Sequence, residues 1–460
     1  LTGVDGWIQG CEVDSRRLPA QALFVALRGR NQDGHRFIGD AERRGAGGVM
    51  VDDATLGQLP LPRLQVPSTR LALGELARVW RRRFQLPVVA VTGSNGKTTV
   101  KELIAGILRQ AGRTLATAGN FNNDIGVPLT LFGLGGQHDF ACIEMGANHA
   151  GEIARLTAIA EPTVGVITQC GAAHLEGFGS LEGVARAKGE LFRGLHPSAT
   201  AIINADDPYA ALLTELAGDR RRITFGLTRE ADVWATWHPA AQGAVLTIKT
   251  PVGATDVRFP LDGRHNVQNA LAAVAATLAL GLSLKLIRRG LEAARSVPGR
   301  LERKPGLRGS AVIDDTYNAN PGSLGAALEV LASAAGRRWL VLGDMGELGP
   351  EAPEWHRRAG ELARRQGIER LYALGALGRT AAEAFGVGGV HYESHALLIE
   401  ALRDDISPGL TLLVKGSRSM RMEEIVAGLT CSGAEQTEMA VPPSQVAPRT
   451  TATEALPERD

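Results

Sequence analysis

The plainest chemistry in this chain lies in a run of small and polar residues, Thr92-Gly93-Ser94-Asn95-Gly96-Lys97-Thr98-Thr99. The run follows the apolar stretch Val88-Val89-Ala90-Val91 and opens a helical stretch at 100–110. In a strand, loop and helix setting, backbone N–H groups wrap a phosphate and the helix dipole favours its charge. A lysine then neutralises that charge and a hydroxyl holds Mg²⁺. Lys97 and Thr98 are the residues of those types here. The run departs from the strict eight-residue phosphate-loop pattern, whose first Gly would fall at Val91. Agreement of strand, loop and helix favours a nucleotide phosphate over a Gly/Ser turn bearing a surface lysine. Lys97 is expected to face solvent in the empty protein. Alone, the loop says nucleotide and leaves the reaction open.

Further candidates follow other apolar runs. Glu144 ends Ala141-Cys142-Ile143-Glu144, and His174 follows the run 164–170. Ligands of parallel sheets gather at the carboxyl ends of strands, so an acid and an imidazole are expected near the phosphate loop. Mg²⁺ prefers oxygen, and a His ligand is unusual without further oxygens. From spacing alone, a capping Glu and a satisfied His are as good a reading as metal ligands. Lys188 reads by spacing as an exposed helical lysine. Asn266 and Asn269 precede an Ala/Leu-rich helix ending near Leu280, where Asn266 would cap the helix and Asn269 be merely polar. Asp314-Asp315-Thr316-Tyr317-Asn318-Ala319-Asn320-Pro321 follows another strand, with an Asx-rich turn as its plain alternative.

The elements that must position these residues form three units and a tail. In residues 1–84, stretches 23–27 and 48–51 read as strands and 37–44 as helix; an Arg-rich segment at 78–84 and then Pro87 mark a boundary. In residues 85–297, buried-strand runs at 140–145, 164–168 and 201–203 alternate with helical segments, which predicts a parallel α/β sheet. Residues 298–432 repeat that alternation, with strands at 311–313, 339–342, 371–374 and 410–414, and read as a second doubly wound, Rossmann-like domain. Residues 433–460, rich in Ser, Thr, Pro, Ala and Glu, read as a disordered tail.

Composition bounds the function classes. A chain of 460 residues, 44% hydrophobic, has material for several cores. Lys plus Arg number 50 and Asp plus Glu 49, a net charge of +1. That balance gives no electrostatic case for nucleic acid or a membrane surface. Cys11, Cys142, Cys170 and Cys431 show no metal or redox spacing; Cys142 and Cys170 lie in apolar runs as buried thiols, which fits a reducing compartment. There is no run of about 18 apolar residues and no charged-then-apolar leader, so the expected location is the cytoplasm. The first residue is Leu rather than Met, which reads as a trimmed start.

Taken in order, these motifs resemble the Mur ligases and, among them, the MurF type. The match runs from about Asp14 to about Glu424 and includes 92–99, Gly119-Asn120-Phe121-Asn122-Asn123-Asp124-Ile125-Gly126-Val127-Pro128, 143–147, 174–179, 314–321, Leu342-Gly343-Asp344-Met345-Gly346-Glu347-Leu348-Gly349 and Val414-Lys415-Gly416-Ser417-Arg418. The Asp-Asn-Pro-Arg motif of the MurE sister enzymes is not found. The resemblance implies three domains, holding in turn the UDP end of an acceptor, ATP, and the amine substrate. It implies that Ser15 and Arg16 grip the UDP end. Asn122 and Asn123 would belong to the muramoyl-sugar site. The loop from Gly93 through Ser94, Asn95, Gly96, Lys97, Thr98 and Thr99 would hold the phosphates, with Thr98 on Mg²⁺. Glu144 and His174 would hold a second Mg²⁺, assisted by Lys188, which matches the family's carbamylated lysine. Asn266 and Asn269 would meet adenine, Arg300 a phosphate and Asp315 the ribose. Asn318 and Asn320 would lie where ATP approaches the dipeptide.

The implied reaction joins D-alanyl-D-alanine to UDP-N-acetylmuramoyl-tripeptide, with ATP as substrate, in the cytoplasm and as a monomer. The acceptor carboxylate would become an acyl phosphate before the amine attacks it, and domain closure would gate turnover. Other amide ligases of the superfamily, a phosphate-loop switch without an acyl acceptor, and a non-catalytic UDP-sugar binder are the competing readings.

Overall fold

The computed structural model describes residues 8–29, 31–59, 61–173 and 175–430. His174 and the expected tail at 433–460 lie outside the described residues. Three sheets carry the fold. The first is four-stranded and parallel, in the order Cys11–Glu12, Leu23–Val25, Gly48–Val51, Arg63–Gln65.

The central sheet has nine strands. From one edge they run Gly253–Phe259, Ala244–Thr250, Val233–Pro239, Arg221–Gly226, Thr200–Asn204, Val164–Ile167, Val88–Thr92, Phe140–Glu144 and Thr114–Ala116. The expected parallel sheet is present and carries an antiparallel edge in addition. Seven strands are parallel, but Ala244–Thr250 and Gly253–Phe259 fold back as an antiparallel meander. These are half-buried edge strands: Leu246 and Ile248 face the core while Lys249 is exposed. They carry a period-2 signal, which a search for continuous apolar runs passes over.

Val88–Thr92 is buried along its whole length, and its side chains divide between two cores. Val89 and Val91 join Ile104, Val267 and Leu271 on one face; Val88 and Ala90 join Ile143, Ile159 and Leu191 on the other. This is the pleat's alternation in a sheet covered on both sides. Cys142 and Cys170 are buried, as their apolar runs predict.

Helix Thr69–Arg81 ties the first sheet to the second. Its Leu73 packs with Leu23, Val25 and Met50, while Ala77 packs with Leu86 and Ile159. Arg81 is buried, and its guanidinium donates to the carbonyls of Ala160 (3.1 Å), Phe84 (2.7 Å) and Leu86 (3.2 Å).

The third sheet runs Glu302–Pro305, Ala311–Asp315, Leu410–Lys415, Arg337–Gly343, Arg370–Leu374, Gly389–Tyr392, and only its first strand is antiparallel. Helices cover both faces. After Arg337–Gly343 the chain turns through residues 344–349, held by His356. That fully buried imidazole accepts the Met345 N–H at Nε2 (2.9 Å) and has Nδ1 2.7 Å from the Ala352 carbonyl oxygen. His356→Ala strands the Met345 donor, so we expect a stability loss of about 1–3 kcal/mol, read as a lower denaturation midpoint. An unchanged midpoint would show the turn holds without it.

Candidate functional site

The carboxyl ends of the central and third sheets face each other across a cleft of ≈ 1030 Å³. Glu144, Asp315 and Lys415 each end a strand at this edge and line the cleft. The phosphate loop lies on its floor. Two glycines make the loop possible. Gly93 has φ +147°, and a Cβ there would stand 2.0 Å from Thr168 Oγ1; Gly96 has φ +80°, and its Cβ would stand 2.5 Å from Asn269 Oδ1. Any larger residue is excluded by both conformation and space. Ser94 Oγ donates to the Gly171 carbonyl at 3.0 Å, and Thr168 Oγ1 donates to that of Asn95 at 2.5 Å, pinning the loop to the next strand's exit.

Lys97 starts helix Lys97–Leu108. The expectation of a solvent-facing side chain is corrected: Lys97 is half-buried and its Nζ folds back to donate to the carbonyls of Gly93 (2.8 Å) and Ser94 (3.3 Å). Burial lowers the pKa of its ammonium; the Glu144 carboxylate opposes this and the Arg300 guanidinium adds to it. Arg300 reaches the loop from the third domain's side. It donates to Thr98 Oγ1 at 2.9 Å and stacks 4.2 Å from the Tyr317 ring centroid.

Asn320 also bridges the domains, donating from Nδ2 to Asn95 Oδ1 at 2.7 Å while its Oδ1 caps helix Pro321–Ala332. Asn318 lines the cleft, and its carbonyl accepts Lys415 Nζ at 2.9 Å. Asp315 is buried and accepts the same ammonium at 2.5 Å.

Asn266 and Asn269 are brought to the loop, but not as the spacing suggested. Helix Arg264–Ala279 begins after Gly263, so Asn266 lies inside the first turn rather than capping it. Its Nδ2 donates to the Asp262 carbonyl (2.8 Å), and Asn269 Nδ2 donates to Asn266 Oδ1 (3.1 Å).

Glu144 is buried. Its Oε1 accepts Asn122 Nδ2 at 2.8 Å, while Oε2 is buried with no hydrogen-bond partner. An orphaned carboxylate oxygen beside a phosphate loop fits a cation ligand. No group of three His, Cys, Asp or Glu side chains gathers to hold a metal among the described residues. The Glu144 carboxylate and the Thr98 hydroxyl are oxygen donors of the kind Mg²⁺ prefers, and could hold it together with oxygens of a bound phosphate.

Lys188 corrects its spacing reading most sharply. It is 1% exposed on helix Leu181–Gly194, donates to the Ala147 carbonyl at 3.2 Å, and sits 5.0 Å from the Phe178 ring centroid. Burial pushes its pKa down to about 7, helped by the charge of Lys97.

Asn123 lines the cleft but spends its Oδ1 on the N–H groups of Ile125 (3.2 Å) and Gly126 (2.8 Å). Ser15 and Arg16 are not among the residues lining the cleft. They form a short turn, Ser15–Arg17, in the first domain, where Arg16 pairs with Asp14 at 2.8 Å.

Sequence reasoning gave no role to Lys415 or His265. Lys415 is 1% exposed, and its signal was a Lys-Gly-Ser exit from an apolar strand. His265 lines the cleft with a buried, unpartnered Nδ1; burial pushes its pKa down to about 4, with Asp315 opposing and Lys415 assisting.

Models of three families match in order: "Mur ligase family, catalytic domain" at residues 7–81, "Mur ligase middle domain" at 91–277, and "Mur ligase, glutamate ligase domain" at 299–418. The chain is 45% identical to the UDP-N-acetylmuramoyl-tripeptide–D-alanyl-D-alanine ligase of Escherichia coli K12, across 94% of this chain and 96% of that one. It is similar to a crystal structure of MurF from Acinetobacter baumannii, with TM-score 0.87 and 38% identity over 91% of this chain and 93% of that one. A MurF ligase of Thermotoga maritima in complex with ADP matches with TM-score 0.81 and 28% identity, over 91% and 96%. Near-complete coverage at this identity, on a cleft built around a phosphate loop, places the chain in the Mur ligase family, within its MurF branch.

Proposed function

We propose that this chain is an ATP-dependent amide ligase that adds D-alanyl-D-alanine to UDP-N-acetylmuramoyl-tripeptide, giving the pentapeptide precursor of peptidoglycan. The observation that carries the reading is the meeting of Lys97, Arg300, Glu144 and Asn320 from two domains over one phosphate loop. A carboxylate resists an amine, because resonance and charge make it a poor electrophile. In the proposed reaction it attacks the γ-phosphorus, the bond to ADP breaks, and an acyl phosphate forms. The dipeptide amine then attacks the acyl carbon, loses a proton, and inorganic phosphate leaves.

Two anions must approach in the first step. The loop's N–H groups, Lys97 and Arg300 offset that repulsion. Glu144 and Thr98 would hold Mg²⁺, whose chemistry is to neutralise charge on the phosphate oxygens. We assign Asn266 and Asn269 to adenine, Asp315 to ribose, and Asn318 and Asn320 to the region where ATP meets the dipeptide. Ser15 and Arg16 are assigned to the UDP end, Asn123 to the sugar, and His174 to the metal site beside Lys188. We assign Lys188 as a carbamate. Among the described residues no helix is long and apolar enough to cross a membrane. We place the enzyme in the cytoplasm as a monomer.

The test is ADP release with each substrate omitted in turn. Release should need acceptor, dipeptide and Mg²⁺ together. Equal release with D-alanine or L-lysine in place of the dipeptide would sink the assignment.

A further inference from the structure

The segment after strand Thr114–Ala116 grips the end of strand Phe140–Glu144 from two sides. Thr117 is buried, and its Oγ1 accepts the Glu144 N–H at 3.0 Å. The Thr117 carbonyl accepts Nζ of Lys101 at 2.8 Å, a buried ammonium that also pairs with Glu102. Asn122 holds the other side. Its carbonyl accepts the Gly146 N–H at 2.8 Å, and its Nδ2 donates to Glu144 Oε1 at 2.8 Å. A Cβ on Gly146 would stand 3.0 Å from Asn122 Oδ1, so the amide is packed against the strand's exit.

With Oε1 engaged, the carboxylate cannot turn without breaking that bond. Oε2 is then the oxygen left buried and unpartnered. We propose that Asn122 is a positioning residue for Glu144, fixing it so that Oε2 alone is offered to the cation at the phosphate loop. The proposal rests on Glu144 being a metal ligand in the ligase reading, and it gives Asn122 a task other than the sugar contact the resemblance implies. An amide suits the task. It donates to one carboxylate oxygen and brings no negative charge to compete for the cation. Without it, Glu144 is free to turn both oxygens toward the Lys97 ammonium and close the site to metal. Partners that orient a metal ligand typically govern about 10–100-fold in metal affinity.

The test uses Mn²⁺ as probe, with free Mn²⁺ read by electron paramagnetic resonance in the presence of ADP and without acceptor or dipeptide, so nothing turns over. Asn122→Leu keeps the side chain's branched shape and removes the donor; Asn122→Ser shortens it out of reach. Each should raise the Mn²⁺ Kd about 10-fold or more while thermal melting stays near wild type. At saturating Mg²⁺, kcat should largely return and the acceptor KM should stay within about twofold, a split a purely structural defect would not give. An unchanged Mn²⁺ Kd in either folded variant overturns the proposal, whether or not the acceptor KM rises. Absence of Mn²⁺ binding by the wild type with ADP overturns it as well. A failure of the ligase reading appears elsewhere, as wild-type ADP release that ignores the dipeptide.

Discussion

Lys97→Ala is expected to lower turnover by about 10²–10³-fold or more, the scale on which single electrostatic stabilisers act in shielded sites, with melting nearly unchanged. The structure explains both halves. The ammonium lies over the carbonyls of Gly93 and Ser94 at the mouth of the loop, where the transferred phosphate would sit. Its burial already disfavours the charge, so removing it relieves a desolvation cost even as two hydrogen bonds are lost. The loop itself is held by Ser94, Thr168 and the packing of Gly93 and Gly96, none of which needs Lys97. Rate and thermal melting, measured on the same preparation, check this. Near-normal activity in a folded variant would remove Lys97 from the mechanism.

Lys188→Ala should likewise lose most activity without unfolding, and acetate should restore part of it. A buried ammonium beside Lys97 would repel a cation, whereas a carbamate reverses the sign and adds oxygens. Carbamate formation needs the neutral amine, and burial, with Lys97, brings the pKa down to about 7. The sign follows from that direction. Above about pH 7 the amine is mostly neutral and open to CO₂; below it the ammonium prevails and the carbamate cannot form. Wild-type activity, after CO₂ depletion and readdition, should therefore recover well at pH 8 and poorly at pH 6. The acetate-rescued variant has no amine at this position and should lack that limb. A fully active alanine variant would reject the role. Normal activity with an unmodified lysine in high-resolution density would reject the carbamate.

How much of this was legible in the chain depends on what each residue's neighbours are. The phosphate loop could be read because its strand, glycines and helix are contiguous, and the local pattern is the structure. Glu144 could be placed at a strand's end for the same reason. Lys188 could not be read from spacing, because the groups that bury it, Phe178 and Ala147, come from segments that helical periodicity does not see. The resemblance of the whole motif order singled it out where local chemistry did not. Lys415 and Asp315 lie 100 residues apart and meet only because their strands are neighbours in the third sheet. The meander at residues 233–259 was missed because half-buried strands are written in alternation rather than in apolar runs.

Helix Thr69–Arg81 has a mechanical consequence. Its first turns belong to one core and its last turns to the next, and Arg81 rivets the joint to three carbonyls. The helix therefore couples the first two cores, and a cut at residue 84 would carry it off with the first fragment and strip Ala77 from the second core. The third domain meets that pair through Arg300 on Thr98 and Asn320 on Asn95. The coupling would make the span from the first domain's wall to the phosphate loop a gauge. On the proposed reading, an acceptor anchored at that wall is measured by length before any of its side chains is inspected.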